Sequence, residues 1–240
     1  MSKGEEDAVE IRDVWAGNLE SEFAVIRDIV DDFPYVAMDT EFPGVVIRHL
    51  GDFKQPADAN YHSLSANVDL LHLLQLGSPS PTPPGTSPPR LPPAALDSSL
   101  RPGPIAPRKS GIDFKKNRET VSTPAVRGAV HASGVVLNDS IHWEAAGDPE
   151  RFLDLLHVFF PVVYDIKRVI HLNNNLYGGL NKVAEKLEVE RVGTCHQAGS
   201  DSLLTARAFM KMRGHRFVGS MEKYVGLLFG LDIESAHNQN

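Results

Sequence analysis

The first ordered stretch of the chain carries apolar residues every three to four positions. Between residues 10 and 30 they fall on one side of a helix, which predicts an amphipathic helix with one buried stripe. Pro34 disfavours helical geometry at the residue before it, so the helix is expected to end there. The apolar run 35–38 that follows is typical of a buried strand.

The same patterns predict the later elements. Helices are expected in part over residues 63–69 and fully over 151–160, 176–187 and 201–212, with strands over 70–76 and 162–166. Residues 51–62 have the composition of a loop, and residues 45–47 either extend the first strand or form an edge. Short strands interleaved with helices indicate an α/β layer architecture.

A proline-rich segment interrupts this pattern. Residues 78–108 hold 11 of the 17 prolines of the chain. Proline has a fixed φ and no backbone donor, so the segment is not expected to supply a central strand or a helix interior. We predict a single domain over residues 10–235, interrupted by a disordered insert at 78–110, with loose tails at 1–9 and 236–240.

Composition sets limits on the class of protein. The 240 residues carry a net charge of −7, which argues against gripping nucleic acid through bulk positive charge. The basic cluster Lys115, Lys116 and Arg118 is interpreted as solvated surface. Cys195 is the single cysteine, the first residues contain no apolar run, and no stretch is long enough to span a membrane. A soluble intracellular protein is therefore expected.

Two carboxylates directly follow the first predicted strand. Asp39 and Glu41 are two residues apart, so a strand directs both to one face, about 7 Å apart at the backbone. Two such acids repel each other unless a cation lies between them, and divalent metals fill that role in phosphate-cleaving enzymes. A chance D-x-E pair is the alternative, because the motif is short.

A second candidate segment precedes the last predicted helix. Asp201 falls in the first helical turn, where the helix dipole favours its ionised form, the form a metal needs. His196 lies on the incoming loop and could take a proton from a metal-bound water. A simple helix cap and a surface histidine are the alternatives. Cys195 has only His196 as a basic neighbour, so a thiol nucleophile is disfavoured.

Several blocks together resemble one family. They are DVWAGNLESEF, VAMDTEFPGVV, NVDLLHLLQLG, VVLNDSIHW, VVYDIK and GGLNKVAEKLEVERVGTCHQAGSDSLLT. These blocks are similar to the Caf/Pop-type poly(A) ribonucleases, deadenylase subunits of the Ccr-Not complex, and to plant members in particular. The resemblance implies an RNase H-like (DnaQ-like exonuclease) fold of the α/β class, a mixed sheet flanked by helices.

The resemblance also implies a site and a reaction. Family members remove 3′-terminal adenylates from messenger RNA with two divalent metal ions, Mg²⁺ or Mn²⁺, held by four acids. On this resemblance Asp39, Glu41 and Asp201 would coordinate metal, and His196 would deprotonate the attacking water. Phe42 would lie near the terminal nucleotide. Implied partners are the poly(A) tail and the scaffold and second deadenylase subunits of the complex, with no membrane, in nucleus and cytoplasm.

The fourth family acid has no counterpart at its expected spacing. In the family a strand that carries this acid follows the block ending at Trp143, whereas this chain continues with EAAGDPE. Asp148 lies five residues after Trp143 instead of eight, in a Gly-Pro context, and Asp165 belongs to a block that the family has in addition to the missing acid. The proline-rich insert likewise replaces family material.

Three functions follow as hypotheses. The first is a poly(A)-specific 3′–5′ exoribonuclease of the Ccr-Not complex, with activity impaired by the missing acid. The second is a catalytically inactive binding subunit of the same complex. The third is a metal-dependent exonuclease with another nucleic-acid substrate.

Overall fold

Four short strands form one mixed sheet in the described part of the chain. They are β1 (Arg12–Val14), β2 (Asp39–Glu41), β3 (Gln75–Ser78) and β4 (Ala94–Asp97). The spatial order is β1-β4-β3-β2, with β1 parallel to β4 and the other two pairs antiparallel. Among the described strands, the one that carries the D-x-E pair therefore lies at one end of the sheet.

The computed structural model describes residues 9, 11–29, 35–48, 51, 53–71, 73–78, 94–97, 148–173, 176–214 and 220–231. The predictions for the C-terminal tail and the basic cluster lie outside these residues. Those for the N-terminal tail and the segment that follows Trp143 lie outside them except at residue 9 and from residue 148 onward. Of the proline-rich insert predicted at 78–110, the structure describes residues 78 and 94–97.

Six α-helices accompany the sheet within the described residues. They are α1 (Leu19–Ile29), α2 (Pro56–Leu70), α3 (Pro149–Phe159), α4 (Ile166–His171), α5 (Leu180–Lys186) and α6 (Ala198–Gly214), followed by a 3₁₀ helix, Met221–Tyr224. Helix α6 packs across β2 and β3 and against α5, while α2 packs against α3. No helix in the described ranges combines the length and the apolar content that a bilayer span requires.

The main apolar core lies among the helices. It is formed by Val169, Ile170, Leu176, Val183, Leu187, Ala208, Met212 and Tyr224, from α4, α5, α6, the 3₁₀ helix and their connections. The second half of α6 contributes Ala208 and Met212, both fully buried. Burial of several large side chains, at about 1.5–3 kcal/mol each, fixes α6 in place. The first turn of α6 is thereby held against the sheet.

The helix predictions over residues 151–160 and 201–212 are confirmed. Helix α3 matches the predicted 151–160, and its start is fixed by Asp148, whose side chain accepts a hydrogen bond from Arg151 N at 2.9 Å. Helix α6 contains the predicted 201–212, with Leu203 and Leu204 buried as the spacing indicated. Asp201 lies in its first turn, as predicted.

The long N-terminal helix prediction is wrong in its first half. Residues 12–14 form β1, and a turn at residues 16–18 separates it from α1. The Asn18 side chain accepts from Trp15 N at 2.7 Å and donates to Asp13 O at 3.1 Å, which closes the turn. Competition of the asparagine amide for backbone groups stops the helix, although the apolar spacing continues through it.

The strand predictions around the acids are wrong in position. Residues 35–38 have no strand pairing, and β2 begins at Asp39, so the two acids lie in the strand itself. Residues 45–47 do not extend it. The Asn67 side chain of α2 instead accepts from Val46 N and Ile47 N at 2.8 and 3.0 Å. A side-chain amide thus takes the place of a neighbouring strand.

The loop predicted over 51–62 is largely helix. Helix α2 begins at Pro56, a residue preorganised for the first helical position because its missing N–H has no partner there. The helix continues through Leu70, so β3 begins only at Gln75, near the end of the apolar run 70–76. The apolar residues at 70–71 therefore belong to the end of a helix.

Two further predictions are corrected. Residues 162–165 form no strand, and Ile166 begins α4 because the Asp165 carboxylate caps it through Lys167 N and Arg168 N. Helix α5 is shorter than the predicted 176–187, since Gly178 and Gly179 precede its first turn.

The proline-rich segment supplies a central strand, contrary to expectation. Strand β4 lies between β1 and β3. Its four residues, AALD, contain no proline, so their backbone donors can pair on both sides. The prediction from proline content therefore fails for this proline-free stretch.

Candidate metal centre

Strand β2 presents both of its acids to the same side of the sheet. Asp39 pairs with Gly77 and Glu41 with Gln75 across the antiparallel ladder, while Thr40 between them is exposed. Leu74 N donates to Glu41 O at 2.7 Å, which extends the pairing past the strand end. The predicted common face of the two carboxylates is therefore present in the structure.

Gly77 allows α6 to reach the same place. A Cβ at this position would lie 1.9 Å from Ala198 O and 2.5 Å from Ser202 Oγ, so any side chain would displace the helix. The Gln75 side chain accepts from Ala198 N at 3.3 Å and holds the first turn of α6 over the strand. Because Gly77 pairs with Asp39, this contact brings the start of α6 beside the acids.

The three predicted metal-binding carboxylates converge. Ligand oxygens of Asp39, Glu41 and Asp201 all lie within 4.8 Å of one another. Residues about 160 positions apart in the sequence thus share one cluster. Oxygen donors at this separation suit hard divalent cations such as Mg²⁺ and Mn²⁺.

The electrostatics of the cluster favour a bound cation. Burial, followed by the charges of Asp201 and Glu41, raises the pKa of Asp39 to about 7, although Arg191 lowers it in part. Burial and the Asp201 charge also raise the pKa of Glu41, against a lowering by His196. Burial and the repulsion between the negative charges are thus not fully compensated at either carboxylate, and a divalent ion would provide that compensation.

Arg191 is the one cation of the described residues that is ion-paired with the cluster. Its Nη1 lies 2.5 Å from Asp201 Oδ1 and donates to Ser200 Oγ at 2.7 Å, while Nη2 donates to Asn181 Oδ1 at 2.7 Å. Asp201 Oδ1 makes no well-aligned hydrogen bond despite this proximity, so the contact is a charge pair. A carboxylate has about four acceptor sites, and Asp201 therefore keeps capacity for a metal.

His196 lies at the same cluster. Its backbone N–H donates to Asp201 Oδ2 at 3.1 Å, and the residue has a φ of +63°. Left-handed backbone at a non-glycine residue is uncommon and is found at functional sites more often than elsewhere. The exposed imidazole lines a cavity of about 410 Å³ together with Asp39, Asp201 and Cys195. The four predicted catalytic residues are thus brought together.

Phe42 and Cys195 are both half-buried near the acids, and the structure gives a hydrogen-bond partner for Cys195. Phe42 is half-buried and directly follows β2, and its contact with a nucleotide stays a prediction. Cys195 is half-buried in the cavity wall, and Asn181 Nδ2 donates to its Sγ at 3.4 Å. Asp148 and Asp165 belong to neither of the two groups of described residues whose ligand atoms lie close enough together to hold a metal ion.

Sequence reasoning missed the residues that organise the acids. Gly77, Asn181 and Arg191 carry no local pattern that separates them from other glycines, asparagines and arginines. Arg191 lies within the block that carries the resemblance, only ten residues before Asp201. That proximity was the one available signal.

Known proteins place the chain in one family. No protein-family model matches it. A protein named "Probable CCR4-associated factor 1 homolog 7" from Arabidopsis thaliana is 42% identical over 268 aligned positions, covering 96% of each chain. The poly(A) ribonuclease pop2 of Schizosaccharomyces pombe is 36% identical over 92% of this chain and 75% of its own length.

Solved structures agree with these relatives. The structure of S. pombe Pop2p in its Mg²⁺- and Mn²⁺-bound form superposes with a TM-score of 0.83 at 35% identity, over 92% of this chain and 99% of that one. Yeast CAF1, co-crystallised with the NOT1 MIF4G domain, gives 0.74 at 26% identity, over 95% and 100%. The chain belongs to the CCR4-associated factor 1/Pop2 family of poly(A) ribonucleases and has their RNase H-like fold.

Proposed function

We propose that this chain is a poly(A)-specific 3′–5′ exoribonuclease and the deadenylase subunit of a Ccr-Not complex. One observation carries the proposal: carboxylates from β2 and α6 come within 4.8 Å of one another beside a cavity. Burial, followed by the charges of Asp201 and Glu41, raises the pKa of Asp39 to about 7, an arrangement that costs stability without a cation.

Divalent metal is the proposed cofactor. Asp39, Glu41 and Asp201 would hold it, and we propose two ions, Mg²⁺ or Mn²⁺. The solved Pop2p form with both metals supports this choice. When bound, such ions neutralise phosphate charge and make a coordinated water more acidic.

Two residues of the chain take the remaining roles. His196 is proposed to accept a proton from the attacking water, since its exposed imidazole borders the cavity and is close enough to Glu41 to lower that pKa. Phe42, next to β2, is proposed to contact the base or ribose of the terminal nucleotide.

Activity is proposed to be weaker than in a family member with four acids. The acid expected after Trp143 has no counterpart at that spacing, and Asp148 is committed to capping α3. Three carboxylates hold metal with less charge than four, and small errors in metal position are costly to rate, of order 10²-fold per ångström.

The test uses the full chain with a 5′-labelled oligo(A) RNA and Mg²⁺ or Mn²⁺. Stepwise shortening from the 3′ end, abolished by Asp39→Ala and by chelation, is the expected result. A mixed-sequence RNA of equal length tests poly(A) preference. Shortening that survives Asp39→Ala would overturn the assignment of the site.

A catalytically inactive binding subunit is the second candidate, and an exposed apolar surface favours it. Side chains of Val45, Val46, Leu64, Val68 and Leu70 are 54–64% exposed. Asn67 holds residues 46 and 47 against α2, so these side chains belong to one region. Exposed apolar patches on a folded domain mark partner surfaces.

Partner binding separates the two candidates. We propose the scaffold and a second deadenylase as partners, and the co-crystal of yeast CAF1 with the NOT1 MIF4G domain supports the scaffold. Co-precipitation of the scaffold without RNA shortening under any metal would favour the inactive subunit. Co-precipitation of the scaffold together with RNA shortening would favour the enzyme. Nucleus and cytoplasm are the proposed locations, to be checked by imaging a tagged full-length chain.

A further inference from the structure

A second group of metal-ligand atoms lies beside the three carboxylates. Ligand atoms of Cys195, His196 and Asp201 all lie within 4.8 Å of one another. This group shares Asp201 with the first cluster but offers sulfur, nitrogen and oxygen instead of oxygen alone. The two clusters therefore suit different metals.

The donor set of this second group selects a softer ion. Thiolate, imidazole and carboxylate are the ligands of zinc, and catalytic zinc sites use three protein ligands with a fourth position open. Tetrahedral zinc needs ligands about 2.0–2.3 Å from the ion. Ligand atoms already within 4.8 Å of one another need only modest side-chain movement to reach this geometry.

The surroundings of Cys195 fit a metal-binding sulfur. Asn181 Nδ2 donates to Sγ at 3.4 Å, so the sulfur already acts as an acceptor, as a thiolate must. Arg191 Nε and Nη2 hold the oxygen of the same amide at 3.1 and 2.7 Å, which fixes the direction of its N–H groups. The side chain lies in the cavity wall, where a hydrated ion can reach it.

We propose that Cys195, His196 and Asp201 form a binding site for a soft divalent cation of the Zn²⁺ type. Binding releases the thiol proton to solvent and leaves a thiolate on the metal. Resting on the function proposed above, a regulatory consequence follows. An ion at this site takes Asp201 from the hard-metal cluster and occupies the imidazole of His196, so Zn²⁺ inhibits RNA shortening by the Mg²⁺-loaded protein.

Cobalt is a direct probe because the chain has a single cysteine. Co²⁺ replaces Zn²⁺ in such sites, and a thiolate ligand gives it an intense near-ultraviolet charge-transfer band. Any such band from the full-length protein reports Cys195 alone. We expect the band on titration with Co²⁺, its disappearance when Zn²⁺ is added, and no band in Cys195→Ser.

Two variants separate this site from the hard-metal cluster. Asp39→Asn is expected to keep the cobalt band, because Asp39 is not one of the three ligands. His196→Ala is expected to weaken Co²⁺ binding at least about 10-fold, since even outer-shell changes cost metal affinity roughly 10–100-fold. Circular dichroism of each variant checks that the fold is retained.

The outcomes distinguish this proposal from the proposed function. Absence of the band in the wild type, or a band unchanged in His196→Ala, overturns the soft-metal site even if oligo(A) is shortened with Mg²⁺. Absence of RNA shortening overturns the enzyme and leaves the band as its own result. Where the band and RNA shortening are both present, the Zn²⁺ concentration that halves the shortening rate should be at least about 10-fold higher for Cys195→Ser than for the wild type. Each inhibited rate is compared with the rate of the same protein without Zn²⁺.

Discussion

Two pairs of carboxylates in this molecule have opposite surroundings. Asp165 accepts hydrogen bonds from three backbone N–H groups, those of Lys167, Arg168 and Phe229, at 2.8–3.3 Å. Asp148 likewise accepts from a backbone N–H at the start of α3. Asp39 and Glu41 instead face other carboxylates, and no side-chain hydrogen bond to either is found among the described residues.

The difference indicates which acids are structural. A carboxylate surrounded by N–H donors is already compensated and stabilises the helix or loop that supplies them. Carboxylates whose pKa is raised by burial and by one another's charge are uncompensated and lower the stability of the metal-free fold. Retaining them makes physical sense where a cation binds, and substitution of each class should have opposite effects on stability.

The largest expected effect comes from the same substitution made in both classes. Asp39→Asn removes a repelling charge, so it should raise the stability of the metal-free protein and abolish stabilisation by Mn²⁺. RNA shortening should fall at least about 100-fold, the size of loss that a misplaced reacting group causes. Denaturant unfolding with and without Mn²⁺ measures the first two quantities.

Asp165→Asn is the matched control and should behave in the opposite way. Asp165 uses one oxygen for Lys167 and Arg168 and the other for Phe229. An asparagine turns its NH₂ toward one of these N–H groups, so an unpaired donor should cost about 1–3 kcal/mol. Stabilisation by Mn²⁺ should remain. A loss of stability in Asp39→Asn that matches this control would contradict the distinction between the two classes.

A second substitution tests how the acids are brought together. Gly77→Ala would place a methyl group 1.9 Å from Ala198 O, so α6 must move away from β3. Overpacking of this kind costs typically about 1–3 kcal/mol, and stabilisation by Mn²⁺ should fall with it because Asp201 moves. Gly17→Ala is the control, since no atom lies within 4 Å of its added Cβ. Equal effects of both alanines would contradict the close approach of α6.

The uncompensated acid also gives the metal-free protein a characteristic pH dependence. The pKa of Asp39 is raised from 3.8 to about 7 in the folded state, so between these values the folded chain binds more protons than the unfolded chain. The Asp39 contribution to stability is therefore fully present below pH 4 and is lost as pH rises toward 7. Urea unfolding in chelator across this range should show a downward slope that Asp39→Asn reduces and Asp165→Asn leaves in place.

The sequence predicted the members of the site better than the elements that carry them. Asp39, Glu41 and Asp201 stand after an apolar run and at a helix start, which made them candidates, and the family resemblance singled them out together with His196. The boundaries of β1 and α2 could not, because Asn18 and Pro56 act through turn and first-turn chemistry that apolar spacing does not register.

The contact that joins the two halves of the site was beyond sequence reasoning altogether. Gly77 ends an apolar run and has the look of an ordinary strand terminator. Its role depends on Ala198, more than a hundred residues later in the chain, approaching within a distance that excludes a methyl group. Such long-range fits follow from the packing of α6 as a whole and leave no local pattern.

The smallest expected effect concerns the charge that partly compensates the acids. Arg191→Met removes the guanidinium from Asp201 and from the field at Asp39, so the pKa of Asp39 should rise further. The metal-free protein should lose about 1–3 kcal/mol of stability, because Asp201 loses a charged partner. Above pH 8, where Asp39 is ionised, Mn²⁺ should bind more tightly because a competing positive charge is gone. Near pH 6 proton competition should cancel this gain.

Arg191→Lys keeps the charge and loses the fork to Asn181, so its Mn²⁺ affinity should stay close to that of the wild type at both pH values. Calorimetric titration with Mn²⁺ measures the affinity of the wild type and of each variant at both pH values. If Arg191→Met gained more affinity over the wild type at pH 6 than at pH 8, Arg191 would not act on the metal through its charge.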